Sequence, residues 1–411
     1  MKTFQVPPAY RSPLITAIKN KRRAEDKMKK DFSPTLLDFG PLQIYLARHF
    51  GFCYGVENAI DIAFRTVDEN PGKNIFLLSE MIHNPQVNMD LKNRGIRFLQ
   101  DTRGKQLIPL DQITAADIVI TPAFGTSLEM DALLKSKGIH TENYNTTCPF
   151  VEKVWNRSGQ IAGNKFTVII HGKPGHEETR ATFSHAAAAG PALVIRDLQE
   201  AVTLGRFIKK DKSGGEFFEI FKDRFSRGFD PQTDLERIGV VNQTTMLASE
   251  TQEIADYLKQ AVQERSMITN ENPADRFADT RDTLCYATND NQSSVTGMLE
   301  TKADLALVVG GYNSSNTSHL VELCEQKLPS FFVEGPEKLI SEEEILHFDM
   351  QQHEEQSTKS WLPSKKPLRL LITSGASCPD AIVESVISRL CGFVKGSRYP
   401  EELIEQFNLI C

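Results

Sequence analysis

Three cysteines in this chain stand in similar surroundings. Cys53 lies in HFGFCYGV, Cys148 in NTTCPFVEKV and Cys285 in DTLCYATNDNQ. Each opens a stretch of helical pattern, and Pro149, directly after Cys148, suits a first helical position. A helix N-terminus favours a thiolate, and three convergent thiolates make a metal site. Zinc sites usually draw on close pairs such as C-x2-C, and this chain has none. Its spacings of 95 and 137 residues suit an iron–sulfur cluster held by one cysteine from each of three segments. A four-iron cluster with three thiolates keeps one iron for substrate, as a Lewis acid. On spacing alone, zinc with a fourth ligand such as histidine stays open. Cys324, Cys378, Cys391 and Cys411 lack this setting and read as structural or incidental. Seven cysteines, an odd number, in an expected reducing compartment argue against a disulfide framework.

Other polar groups gather where apolar runs end. His83 and Asn84 follow the run at 76–81. HGKPGHEETRAT follows 166–170 and offers His176 and Glu178. NQTT follows 238–241 and contains Thr244. GGYNSSNTSHL follows 305–309, and TSGASCPD follows 368–372. In open α/β sheets, ligands bind beyond the carboxyl ends of the strands. Any single Ser or Asn at such a place is more often a helix cap. Ser314, Ser315 and Asn316 in a row, after two glycines, exceed what a cap requires. They suit a phosphate held by hydroxyls, an amide and helix N-terminal N–H groups. No Walker motif and no G-x-G-x-x-G after a strand supports nucleotide binding.

The elements that must position these groups are short. Near-continuous apolar runs rich in Val, Ile, Leu and Phe alternate with amphipathic segments such as 127–137, 248–265 and 381–392. That rhythm predicts an α/β protein with mainly parallel sheets. The cysteine turns divide it into three comparable α/β units. The expected boundaries are an N-terminal extension at 1–42, a first domain at 43–147, a second at 148–284, a third at 285–392, and a tail at 393–411. The extension reads as polar and partly helical at 14–30. Residues 208–236 and 337–366 interrupt the rhythm and read as solvated loops or short helices.

Composition narrows the classes. A net charge of −7 over 411 residues argues against a nucleic-acid binder. No apolar run approaches the roughly 18 residues needed to span a bilayer. The N-terminus carries no signal-peptide core and no convincing transit peptide, so the expected location is the cytoplasm.

Taken together, HFGFCYGVENAI, MIHNPQV, NTTCPFVEKVW, GHEETRAT, NQTTM, DTLCYATNDNQ, YNSSNTSHL and TSGASCPD resemble the 4-hydroxy-3-methylbut-2-enyl diphosphate reductase family. The resemblance runs from about residue 43 to 392 with the motifs in family order. It implies three α/β domains around a central [4Fe–4S] cluster, one per chain, held by Cys53, Cys148 and Cys285. It places His83, His176, Ser314, Ser315, Asn316 and Ser377 on diphosphate-binding positions. Glu178 falls on the proton-donor carboxylate and Thr244 on the threonine beside it. The implied reaction is reductive loss of the C4 hydroxyl of the allylic diphosphate, giving isopentenyl and dimethylallyl diphosphate. Electrons would come from an external one-electron carrier of ferredoxin or flavodoxin type.

Many members of the family have histidine where Phe124 stands in PAFGTS. The longer cyanobacterial and plastid branch resembles this chain there, in the insertion at 208–236 and in the wording KVWN. Two other classes remain to be separated. An open-iron hydro-lyase would need no electron input. A non-catalytic iron–sulfur or zinc-binding regulator would need neither Glu178 nor the Ser314, Ser315, Asn316 cradle.

Overall fold

A computed structural model describes residues 4–211, 214–270, 272–278 and 283–407. The chain forms two compact units. One comprises Met1–Glu57, His83–Gln86 and Tyr286–Cys411, and the other Asn58–Ile82 and Val87–Cys285.

The first unit is built on a five-stranded sheet in the order Thr35–Asp38, Leu42–Leu46, Leu368–Ser374, Leu305–Val309, Ser330–Val333. All neighbours are parallel except the edge strand Thr35–Asp38, which runs antiparallel to Leu42–Leu46. Leu305–Val309 is buried at every position, which is why it reads as an unbroken apolar run. Helices Pro13–Glu25, Ser315–Glu325 and Asp380–Phe393 contribute Ile15, Leu320 and Val386 to the same core. Each fully buried aliphatic side chain contributes about 1.5–3 kcal/mol.

Three readings of the sequence are corrected in this unit. The N-terminal extension is part of the core: Ser12 caps the helix Pro13–Glu25, and Leu14, Ile15 and Ile18 are buried. The charge run at 19–30 masked that short apolar stripe in the sequence. Strand Leu42–Leu46 pairs with Leu368–Ser374, so segment 43–147 contributes to more than one sheet. Residues 337–366 form a β-hairpin, Glu344–Asp349 with Glu354–Lys359. Ile345 and Trp361 are buried in the core from that stretch. The polar side chains of a hairpin with one solvent face look like a loop in sequence.

The second unit holds two three-stranded parallel sheets. One has the order Arg97–Phe98, Ile75–Leu77, Ile118–Ile120, and the other Ala192–Ile195, Thr167–His171, Ile238–Asn242. The segment 208–236 carries a short helix, Gly214–Ile220, as read, but it is not simply solvated: Phe217, Phe221 and Phe229 are buried in one cluster with Ile238 and Ile254. Phenylalanines spaced four apart gave that stretch an apolar face among its lysines and glycines. Among the described residues, no helix is long and apolar enough to cross a membrane.

Parallel pairing sets up the chemistry. Strands Thr167–His171 and Ile238–Asn242 lie side by side with His171 opposite Asn242. The loops that leave them, carrying Glu178 and Thr244, therefore start together. In the first unit, Val309 lies opposite Ser374, so the loops carrying Ser314 and Ser377 also start together.

Candidate active site

In the second unit, Glu178 lies in the first turn of helix Glu177–Ala189 and is buried. Thr244 holds both carboxylate oxygens. Its N–H donates to Oε1 at 2.5 Å and its hydroxyl donates to Oε2 at 2.9 Å. His176 caps the same helix, with Nδ1 accepting from the Glu178 N–H at 3.1 Å. An accepting Nδ1 places the proton of the neutral imidazole on Nε2. Phe124 meets the His176 ring edge-on, with centroids 5.5 Å apart and planes at 84°. The Phe124 phenyl thus packs against a neighbouring candidate site residue.

Gln243 went unassigned in the sequence, although it stands beside Thr244 in NQTT. Its side-chain oxygen accepts from Thr179 Oγ1 at 2.9 Å and from the Lys173 N–H at 3.1 Å, and its amide donates to Thr245 Oγ1 at 2.8 Å. It locks the two strand-end loops together. Gly172 permits this approach, since a Cβ there would lie 2.6 Å from Thr179 Oγ1.

In the first unit the three strand-end loops also interlock. The Ser377 hydroxyl donates to the His83 carbonyl at 3.1 Å. Asn316 Oδ1 accepts from the Ala376 N–H at 2.9 Å. Ser314 is the cap of helix Ser315–Glu325, accepting from the N–H and hydroxyl of Thr317 at 3.3 and 2.9 Å. Ser315 differs from these. Its hydroxyl is buried and has no hydrogen-bond partner. A buried, unpaired hydroxyl costs about 1–3 kcal/mol, and it is what a ligand-binding donor is before the ligand arrives. Ser314 and Asn316 thus carry structural duties as well, which their position in a row did not reveal.

Cys148 is the N-cap of helix Pro149–Gly163. Cys53 accepts the first bond of helix Tyr54–Glu69 from the Glu57 N–H at 2.9 Å, and Cys285 directly precedes helix Tyr286–Met298. All three are half-buried and in no disulfide, whereas Cys324, Cys378 and Cys391, also in no disulfide, are buried. Cys411 lies outside the described residues. Among the described residues no group of three or more His, Cys, Asp or Glu side chains is placed to hold a metal ion. Each cysteine is therefore described in its own setting.

At Cys148 burial opposes the thiolate that a helix start favours. Burial pushes its thiol up to about 12, the Cys285 and Glu178 charges add to the rise, and the Phe150 and Val151 N–H groups only partly oppose it. A helix N-terminus contributes up to about 1 kcal/mol to an anion, less than the cost of burying one. A bound cation supplies what the helix does not, because metal binding releases the ligand's proton. Half-buried thiols at helix starts, with no close pair in sequence, are of the donor type an iron–sulfur group takes.

Parallel sheets whose carboxyl ends carry a buried carboxylate, interlocked polar loops and an unpaired hydroxyl define an α/β enzyme acting on a polar small molecule. The chain belongs to the LytB protein family, whose model matches residues 44–391. A relative from Gloeobacter violaceus is 38% identical over 386 residues, covering 90% of each chain. One from Prochlorococcus marinus (strain AS9601) is 40% identical over 387 residues, covering 93% of this chain and 90% of its own. Both are named 4-hydroxy-3-methylbut-2-enyl diphosphate reductase. A solved structure of (E)-4-hydroxy-3-methyl-but-2-enyl diphosphate reductase, titled the terminal enzyme of the non-mevalonate pathway, is 26% identical with a TM-score of 0.50. It aligns with 84% of this chain and 98% of its own. The reductase structure from Plasmodium falciparum shares the fold with a TM-score of 0.61 at 20% identity, over 88% of this chain and 97% of its own.

Proposed function

We propose that this chain reduces (E)-4-hydroxy-3-methylbut-2-enyl diphosphate to isopentenyl and dimethylallyl diphosphate, the last step of the non-mevalonate route to isoprenoids. Full-length relatives carrying that enzyme's name support the reading. The observation that carries it is the buried Glu178 with both oxygens held by Thr244.

The reaction consumes two electrons and two protons and releases water. Glu178 in its acid form gives a proton to the departing hydroxyl. The Thr244 hydroxyl can reverse its bond, accepting from protonated Oε2 and passing its own proton onward. The Thr244 N–H keeps the carboxyl group in place throughout. The Ser315 hydroxyl binds a diphosphate oxygen, with Ser314, Asn316, Ser377, His83 and the Nε2–H of His176 as further donors. Hydrogen bonds to a charged acceptor are about twice as strong as neutral ones. Cys53, Cys148 and Cys285 would hold one [4Fe–4S] cluster, which supplies the electrons and a Lewis-acidic iron when bound. An external one-electron carrier of ferredoxin or flavodoxin type would deliver those electrons, in the cytoplasm, with no nucleic acid or membrane taking part.

Turnover with and without reductant tests the assignment. The anaerobically purified protein, with iron and sulfide counted, should form both C5 diphosphates only when a one-electron reductant is supplied. Product formation without reductant would identify a hydro-lyase instead, and zinc without sulfide would remove the reading altogether.

A further inference from the structure

The hairpin of Glu344–Asp349 and Glu354–Lys359 reads as solvent-facing chain, yet it grips one residue of the loop at 310–314, which leads into helix Ser315–Glu325. The Tyr312 ring stacks on Phe348, with centroids 4.6 Å apart and planes at 18°. Its hydroxyl donates to Glu355 Oε1 at 2.8 Å, and Glu355 is paired with Lys338. Phe348 and Glu355 are opposite each other in the hairpin, so a single rung holds both the ring and the hydroxyl. The edge of Tyr312 also meets Phe332 of strand Ser330–Val333 at 5.1 Å. Burial, with Glu355 as acceptor, holds the phenol well above its usual range, so it stays a donor at working pH.

Ser315 follows three residues later with its buried, unpaired hydroxyl. A loop free to relax would turn that hydroxyl toward water or backbone, since leaving it unpaired is unfavourable. The Ser314 N–H to Gly311 carbonyl bond at 2.9 Å is local to the loop and cannot set its place on the sheet. Tyr312 is tied from outside the loop, on two sides.

We propose that Tyr312 is a positioning residue. Through Phe348 and Glu355 the hairpin holds the donors at 314–316 ready before the anion binds. This inference rests on the reading of those donors as a diphosphate cradle.

Tyr312→Phe keeps the stack and deletes the hydroxyl, and Glu355→Gln weakens the same bond from the hairpin side. In the anaerobic holoenzyme, each should raise KM for the allylic diphosphate and the inhibition constant of inorganic diphosphate by about 3- to 30-fold, with kcat falling far less. The double variant should bind no more weakly than the worse single, because both remove one link. Lys359→Ala breaks the Lys359–Glu344 pair elsewhere on the hairpin and should leave both constants unchanged. Ser315→Ala tests the cradle directly. If it weakens inorganic diphosphate while Tyr312→Phe and Glu355→Gln do not, the brace is wrong and the cradle stands. If Ser315→Ala changes neither constant, the cradle reading itself fails. Should Tyr312→Phe fold poorly, Glu355→Gln at its exposed position carries the test alone.

Discussion

The Cys285 N–H donates to the Thr244 carbonyl at 3.3 Å, while the N–H and hydroxyl of Thr244 donate to Glu178. One residue therefore touches a candidate cluster ligand through its carbonyl and the candidate acid through its two donors. Displacing Thr244 disturbs both, whereas trimming its side chain disturbs only the acid.

That geometry separates three substitutions. Thr244→Val deletes the hydroxyl and leaves both backbone bonds. It should keep the cluster spectrum and lower kcat. Thr244→Ser should retain most of the rate. Glu178→Gln should bind substrate and hold the cluster but turn over slower by about 10²- to 10⁴-fold. Pre-steady-state rates of the three variants check this. Normal turnover by Glu178→Gln would assign the acid to another group.

Ser315→Ala should trade function for stability. Removing an unpaired buried hydroxyl is neutral or stabilising by up to about 1–3 kcal/mol in the ligand-free protein. The same change should weaken substrate binding roughly 10- to 150-fold, the worth of one hydrogen bond to a charged group. Asn316→Ala should also weaken binding but lower the melting temperature, because Asn316 anchors the Ala376 N–H. Thermal melts beside KM measurements distinguish the two. A destabilised Ser315→Ala would mean that its hydroxyl has a protein partner.

Replacing Cys53, Cys148 or Cys285 with serine should remove iron, sulfide and activity together. Cys324→Ala, at a fully buried position, should retain the cluster and lose only stability. Iron and sulfide analysis decides this. A Cys148→Ser variant with full cluster content would exclude that residue as a ligand.

Gly125 has φ +77°, and a Cβ there would fall inside contact distance of the Trp155 ring. Gly125→Ala should destabilise the loop bearing Phe124 by about 1–3 kcal/mol, lowering the denaturation midpoint. An unchanged midpoint would show that Trp155 moves away at no cost.

Burial holds the His49 imidazole down, from 6.5 to about 4, with Arg48, Lys29 and Lys19 reinforcing the effect and Asp290 opposing it. The native state thus keeps His49 neutral where the unfolded chain protonates it. Its contribution to stability is complete above pH 6.5 and is lost as pH falls toward about 4, where it levels off. Denaturation midpoints between pH 7 and 4 should decline less steeply for His49→Gln than for the unaltered chain. Parallel slopes would place the acid sensitivity elsewhere.

The α/β class, the parallel pairing and the strand-end placement of Glu178, Thr244 and Ser314 were legible in the residues. Local patterning carries them: unbroken apolar runs belong to strands buried on both faces, and polar groups cannot end such runs except at the loops. The helix starts at Cys53, Cys148 and Cys285 were legible for the same reason.

Tertiary structure alone decided the rest. That Leu42–Leu46 pairs with Leu368–Ser374, and that the extension's Leu14 and Ile15 join that sheet's core, depends on partners more than 250 residues away, which no local pattern encodes. Whether Ser314 caps a helix while Ser315 stays unpaired depends on which hydroxyl meets Thr317, and the sequence Ser-Ser is silent on it. The Cys148 thiol shows the limit most plainly. Its place at a helix start predicted a thiolate, but the charge a site tolerates is set by how much water the surrounding chain excludes, a property of the whole packed unit.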